Sequence, residues 1–271
     1  MIKSLNTAVS VMYIAVAIGY GIYFFRAKRV IIKSLRPFLA VTIGLHVFVI
    51  VLVGIRYRHF PITSLYDLLS MLALAIAVNY FYIESRIGVR STGVFILIVV
   101  AFCQTVSAAF RVYTYDIVPI IKSVYVIIHT IAIAFGYSAF IIAMLYGFMY
   151  VLLFHTIKGK HFGIFFERLP SLEQLDEMNY RASTIGFFAM TVSLAVAIIW
   201  LLKMIKGASM FDPKIVVALL TWAIFGANFI LKKFFGRGGI VTSYLSFFGF
   251  SGIIFSMVIV NIFLRTFHLF F

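Results

Sequence analysis

The chain has a single cysteine, few acids and little charge of any kind, and each scarcity removes a class of function. With Cys103 alone, an internal disulfide, a CxxC redox pair and a CxxCH attachment site are all impossible. Only 11% of the 271 residues are charged while 64% are hydrophobic, so a soluble fold would have no surface to offer water. No Ser-His-Asp arrangement, no HExxH and no phosphate-cradling glycine loop is present. Gly236-Arg237-Gly238-Gly239 falls in a turn and is too short for a nucleotide site. Low-complexity segments and internal repeats are missing too, and without two inverted halves a transporter of the common secondary type has little support.

What the chain does have is apolar length. Eight stretches are apolar for roughly 18 to 22 residues each, and a hydrocarbon core about 30 Å thick needs about 20 per spanning helix. The runs are continuous rather than alternating, which excludes a barrel. The expected fold is an all-α polytopic membrane protein, one domain over 1–271. Its spans are read at 6–25, 37–55, 65–83, 92–110, 123–154, 184–202, 215–231 and 243–264. The fifth is longer than a bilayer requires and is expected to tilt or project. The first is followed by Arg26, Lys28, Arg29, Lys33 and Arg36 with no small-residue cleavage site, so it reads as a retained helix.

The formal charge of +15 resembles a nucleic-acid footprint, but the 23 basic residues are scattered over loops, and no nucleic-acid partner is expected. Alternate loops (26–36, 84–91, 155–183 and 232–242) hold 14 of them, and the other set with both termini holds nine. The positive-inside rule then puts the richer loops in the cytoplasm and both termini outside, with lipid as the bland partner for the charge. Nine outer cations, Arg56, Arg58, Arg111 and Arg265 among them, either cap helix ends and snorkel or form an outer anion site. The longest polar stretch, 155–183, carries Glu167, Glu173, Asp176 and Glu177, with Ser171 as the N-cap expected for a short amphipathic helix. It is either a solvated connector or the surface for a cytoplasmic partner.

Six histidines remain as chemistry. His155 and His161 lie among lysines in the polar loop, and His59 follows the second span. His46 sits near the middle of that span, where an ionisable group is functional by default. The alternative there is a hydrogen bond to a neighbouring helix, with Thr105 or Ser107 as partner. His129, about six residues into the fifth span, and His268, after the eighth, are placed to approach one another at the outer face. Two neutral imidazoles without thiolate or a carboxylate pair suit haem iron better than structural zinc. Asp67 lies three residues into the third span. Asp212 and Pro213 are explained by capping the seventh helix.

Asp212-Pro213-Lys214, Ala218-Leu219, Thr221-Trp222 and the basic turn at Gly236-Arg237-Gly238 resemble the cytochrome c assembly protein family. So do Val260-Asn261 and Phe267-His268 at the end of the chain. Upstream, His129-Thr130 with Tyr137-Ser138-Ala139-Phe140, the 169–187 segment with Trp200, and Leu45-His46 with Arg56, Pro61 and Leu65-Tyr66-Asp67 follow in order. The resemblance covers most of 40–271. It departs where the family has a tryptophan-rich outer segment: Ser209, Phe211 and Val217 stand in place of tryptophans, and Ile215 in place of a glutamate. A further family histidine falls on Ile230. This pattern is similar to the HemX type of that family rather than to its complete cytochrome c synthetases.

The resemblance implies a haem-handling membrane protein of cytochrome c biogenesis or haem-synthesis regulation in a bacterial inner membrane. Its cofactor would be b-type, non-covalent haem with His129 and His268 as axial ligands to the metal. His46, Arg56, Arg58, Arg111, Trp222 and Arg265 would be further cofactor-binding residues. A cytochrome-assembly or haem-synthesis protein is the implied partner, and no independent catalytic activity is required. The alternative is a scaffold that has lost haem handling and binds a partner through 155–183.

Overall fold

The computed structural model describes residues 1–26, 29–113, 119–160, 163–204 and 213–255. Among them every regular element is helical. The helices are α1 (Ile2–Arg26), α2 (Arg29–Tyr57), α3 (Leu65–Ile87), α4 (Gly93–Phe110), α5 (Val124–Lys158), α6 (Ile164–Arg168), α7 (Leu172–Met204), α8 (Pro213–Phe235) and α9 (Ile240–Phe255). A 3-10 turn at Pro119–Lys122 precedes α5. Seven of these helices are long and apolar enough to cross a membrane, and α9 is a shorter apolar helix of 16 residues. Val47, Phe48, Val51 and Ile55 on α2, and Ile98 and Phe102 on α4, are exposed, which suits a lipid-facing surface. The chain is a multi-pass membrane protein.

Packing divides it into two compact units: Met1–Ser123 with Leu153–Ser171, and Val124–Leu152 with Leu172–Phe271. In the first, α1 packs against α2 and α4, α4 against α3, and α2 against α3. The buried positions of α1 are Asn6, Val9, Ser10, Tyr13, Val16, Ala17, Tyr20 and Phe24. Their spacing of three and four places one stripe towards the bundle, and half of it is polar or phenolic. Local chemistry sets the limits of α3. The Ser64 hydroxyl accepts from the Asp67 N–H at 3.2 Å, and Gly88 ends the helix at φ 78° with its N–H on the Glu84 carbonyl. Small α6 rests on this unit through Phe165, whose ring lies 6.3 Å from that of Phe24.

In the second unit α8 packs on α9 and α7, and α7 touches α9. The early part of α5 crosses α7 at paired glycines. A Cβ on Gly186 would lie 2.3 Å from the Phe140 ring and 3.2 Å from the Gly136 carbonyl oxygen. Small residues let two backbones approach this closely. Phe140 in turn stacks on Phe225 of α8 at 3.6 Å.

Two expectations change form. The short helix after Ser171 and the sixth span are one 33-residue helix, α7. Arg29, Lys33 and Arg36, expected before the second span, belong to α2, which runs through Pro37. Of the eighth span, read at 243–264, the part after Phe255 lies outside the described residues.

Candidate functional site

His129 stands in the first turns of α5, held by Ser193 of α7. Its Nδ1 lies 3.1 Å from the Ser193 carbonyl oxygen and 2.9 Å from the Ser193 hydroxyl, while that hydroxyl faces the His129 carbonyl at 3.3 Å. A carbonyl oxygen only accepts, so Nδ1 carries the proton. The hydroxyl donates to the His129 carbonyl and accepts from the same Nδ1–H. The imidazole is therefore fixed as the Nδ1–H tautomer, with its lone pair on Nε2. Among the described residues Nε2 has no hydrogen-bond partner. Metal-ligating histidines commonly have this outer-shell arrangement, one nitrogen on a carbonyl and the other presented outward.

His46 is arranged in the opposite way. It is fully buried, and both ring nitrogens are engaged, one by α1 and one by α3. Nε2 is 2.9 Å from the Ser70 hydroxyl and Nδ1 is 3.2 Å from the Tyr13 hydroxyl. Ser70 donates onward to the Gln104 side-chain oxygen at 3.0 Å, so towards His46 it accepts, and Nε2 carries the proton. Tyr13 then donates to Nδ1. Gln104 donates to Asn6 at 2.9 Å, and Ser10 donates to the Gln104 carbonyl. The result is a continuous chain, Tyr13 to His46 to Ser70 to Gln104 to Asn6, across four helices. The interhelical partners of His46 are thus Tyr13 and Ser70 in place of Thr105 or Ser107.

A buried ion pair lies at each end of this bundle. At one end Arg111 Nε is 2.6 Å from Asp67 Oδ1, with both side chains almost wholly buried. The other Asp67 oxygen accepts from the Thr63 N–H at 2.9 Å and the Thr63 hydroxyl at 2.7 Å. The Arg111 guanidinium lies 5.2 Å from the Tyr113 ring centre, and Tyr113 stacks on Tyr57 at 5.6 Å. Burial pushes the Tyr113 phenol above its usual range, with Arg111 pulling the other way. At the opposite end Glu84 accepts from Tyr20 at 2.5 Å and pairs with Arg90 at 3.2 Å.

Of the other residues singled out in the sequence, Arg56 in the last turn of α2 and Arg58 just beyond it are exposed, Arg58 at φ 58°. Trp222 on α8 donates its indole N–H to Thr191 at 2.8 Å and stacks on Phe187. Thr191 and Ser193 are two residues apart, roughly 200° around α7, so Trp222 and His129 are anchored on different flanks of that helix. His268 and Arg265 lie outside the described residues. Ser193, Ser70 and Gln104 carried no sequence signal beyond being polar within an apolar run. Among the described residues no group of three metal-ligating side chains is gathered.

The model of the cytochrome c assembly protein family matches residues 5–268. The chain belongs to this family. It is 27% identical over 222 residues to Protein HemX of Brevibacillus brevis, covering 79% of each chain. It is 25% identical over 230 residues to cytochrome c biogenesis protein CcsA of Mesostigma viride, covering 73% of this chain and 75% of that one. To the CcsA of Guillardia theta it is 25% identical over 199 residues, 65% and 66% of the two lengths. The family match includes His46, His129 and His268, so all three histidines lie in family sequence rather than in an added segment.

Proposed function

We propose that this protein handles haem in cytochrome c biogenesis or haem-synthesis regulation. In this reading it binds b-type haem non-covalently through His129 and His268. The observation that carries it is the Ser193 anchor, which leaves the His129 Nε2 lone pair as the available ligand nitrogen. The donor type fits: a neutral imidazole with a second-shell carbonyl suits haem iron. Haem would bring its iron to be held or passed on, while the chain supplies orientation and an apolar surround. Arg265, outside the described residues, would face the propionates. Membership of the cytochrome c assembly family and likeness to proteins named for cytochrome c biogenesis support the assignment. The setting is a bacterial inner membrane with both termini outside, and the partner is another cytochrome-assembly or haem-synthesis protein.

An absorption spectrum of gently solubilised protein tests this. A Soret band that His129→Ala and His268→Ala both weaken is expected. A protein that is colourless and cannot be loaded with haem overturns it.

A second reading, a scaffold acting through 155–183, draws on one observation. Ile164, Phe165 and Phe166 of α6 are each more than a third exposed beside charged Glu167 and Arg168. Ile164→Ser/Phe166→Ser, which leaves the Phe165 contact with Phe24 in place, should then abolish co-purification of a partner while removal of the histidines leaves it intact. Asp176 and Asn179 are buried structural residues, so exchange of the whole segment would test folding rather than docking.

A further inference from the structure

His129 is aligned by the helix that faces it. Three contacts join α5 to α7, seven residues apart on both helices. His129 Nδ1 meets the Ser193 carbonyl oxygen at 3.1 Å, Gly136 meets Gly186, and the Ala143 carbonyl oxygen accepts from Asn179 Nδ2 at 2.7 Å. The pairing is antiparallel, since the α5 numbers rise as the α7 numbers fall. A repeat of seven is the seam of two helices that stay in contact over several turns. At the first and last of these layers a side chain of one helix reaches a main-chain carbonyl of the other, so the backbones must lie close. The middle layer sets their separation. The Phe140 ring lies over Gly186, where a Cβ would be 2.3 Å from it, and it stacks on Phe225 at 3.6 Å. Phe225 in turn abuts Gly249, where a Cβ would also come within 2.3 Å. Both rings are wholly buried.

We propose that Phe140 and Gly186 are positioning residues for His129: their contact holds α5 and α7 close enough for the Ser193 carbonyl to fix the imidazole as the Nδ1–H tautomer. The inference rests on the haem reading for its use, because only that tautomer offers the Nε2 lone pair to iron. Its geometry needs no ligand. A methyl group on Gly186 meets a ring that Phe225 already holds, and a close-packed interior leaves no room for the ring to turn away. The strain is relieved by α5 and α7 moving apart. A hydrogen bond of 3.1 Å is lost by about 3.6 Å, so a shift of about half an ångström withdraws the carbonyl. The Ser193 hydroxyl cannot then settle the tautomer. It accepts from Nδ1–H and donates to a bare Nδ1 equally well, and both forms populate. The carbonyl, which only accepts, is the deciding partner, and the Phe140–Gly186 contact is what keeps it in reach.

The test reads the tautomer directly, in the full chain in nanodiscs without haem, from the ring-nitrogen NMR resonances of isotope-labelled histidine. His129 is assigned by its absence in His129→Ala. The parent should show one state with the proton on Nδ1, and Gly186→Ala a mixture of both tautomers. Gly186→Ala/Phe140→Leu gives the methyl group room and should restore the single state. Gly252→Ala brings a Cβ to 2.7 Å from the Thr221 hydroxyl, between α9 and α8. It is the control for strain elsewhere and should leave the tautomer unchanged. If Gly186→Ala does not fold, Gly136→Val wedges the same crossing against the Met190 main chain, 3.4 Å from its Cβ, and should give the same mixture. A single Nδ1–H state in Gly186→Ala or Gly136→Val overturns the proposal. So does a mixture in the parent, in the Gly252→Ala control or in the double variant. In a Soret titration Gly186→Ala should bind haem about tenfold or more weakly. A parent with a fixed tautomer that takes up no haem would sink the haem reading alone.

Discussion

Ser70→Ala is the sharpest probe of the buried chain around His46. The substitution removes one hydroxyl that accepts from His46 Nε2–H at 2.9 Å and donates to Gln104 at 3.0 Å. Two buried groups lose their partner at once. In a soluble core, each orphan would cost about 1–3 kcal/mol. In a membrane bundle the separated helices still find partners, and measured interhelical bonds average about 0.6 kcal/mol with a maximum near 1.7. Two bonds therefore predict a loss of about 1–2 kcal/mol, with about 3.4 as the ceiling. Reversible unfolding in mixed micelles, read as free energy rather than midpoint alone, would measure it. Haem occupancy per folded molecule should not change. A double-mutant cycle with His46→Leu should show strong coupling, because either change alone breaks the same bond. Stability within about 0.3 kcal/mol of the parent, or haem loss at unchanged stability, would refute the hydrogen-bonded role and return His46 to the ligands.

Three further outcomes are expected. Ser193→Ala leaves His129 its carbonyl contact but takes away the hydroxyl, and should weaken haem binding about tenfold, the lower end for an outer-shell loss, in a Soret titration. Gly93→Ala would place a Cβ 2.2 Å from Tyr20 and 2.4 Å from the Tyr80 hydroxyl, and should cost about 1–3 kcal/mol; Gly44→Ala, with nothing within 4 Å, is the control and should be near neutral in the same melt. Reporter fusions at residues 30 and 160 should signal from the cytoplasm, and a cytoplasmic signal at 60 or 208 would reverse the orientation.

Helix number and class were legible because twenty-residue apolar runs have few other physical outcomes. The α3 start, read at 65 from the apolar run, is at Leu65; the Ser64 cap on the Asp67 N–H was not read. The fusion of α7 was not legible either. Asp176, Asn179 and Ser183 read as a polar connector, yet they are buried and satisfied from far along the chain. Asp176 pairs with Lys232 and accepts from the Gly239 N–H at 2.6 Å and from Thr242 at 3.1 Å. Asn179 meets Ser246 at 2.9 Å, and Asn228 meets Ser183 at 3.2 Å. Polarity in one segment cannot reveal that its partners wait 45 to 67 residues later. The same limit applied at the sites. Asp67 and Arg111 each stood out alone, but nothing in sequence paired them. At His46 the partners lie on other helices than expected: Tyr13 on α1 and Ser70 on α3 hold the ring, whereas Thr105 on α4 is exposed and Ser107, though buried, is not its partner.

The stripe of Asn6, Ser10 and Tyr13 on α1 has a consequence for how the chain is made. Ser10 donates to the Gln104 backbone carbonyl and Asn6 accepts from the Gln104 side-chain amide, 94 and 98 residues further on. At about 5–20 residues per second of synthesis, α1 enters the membrane roughly 5–20 seconds before Gln104 exists to meet it. During that interval the Asn6 amide and the Ser10 hydroxyl lack their α4 partner, whereas Tyr13 waits only for His46, 33 residues on. The nascent helix must be sheltered by the insertion machinery or stay near the headgroups until the fourth helix arrives. Biogenesis of this protein is thereby tied to a delay that its own hydrogen bonds impose.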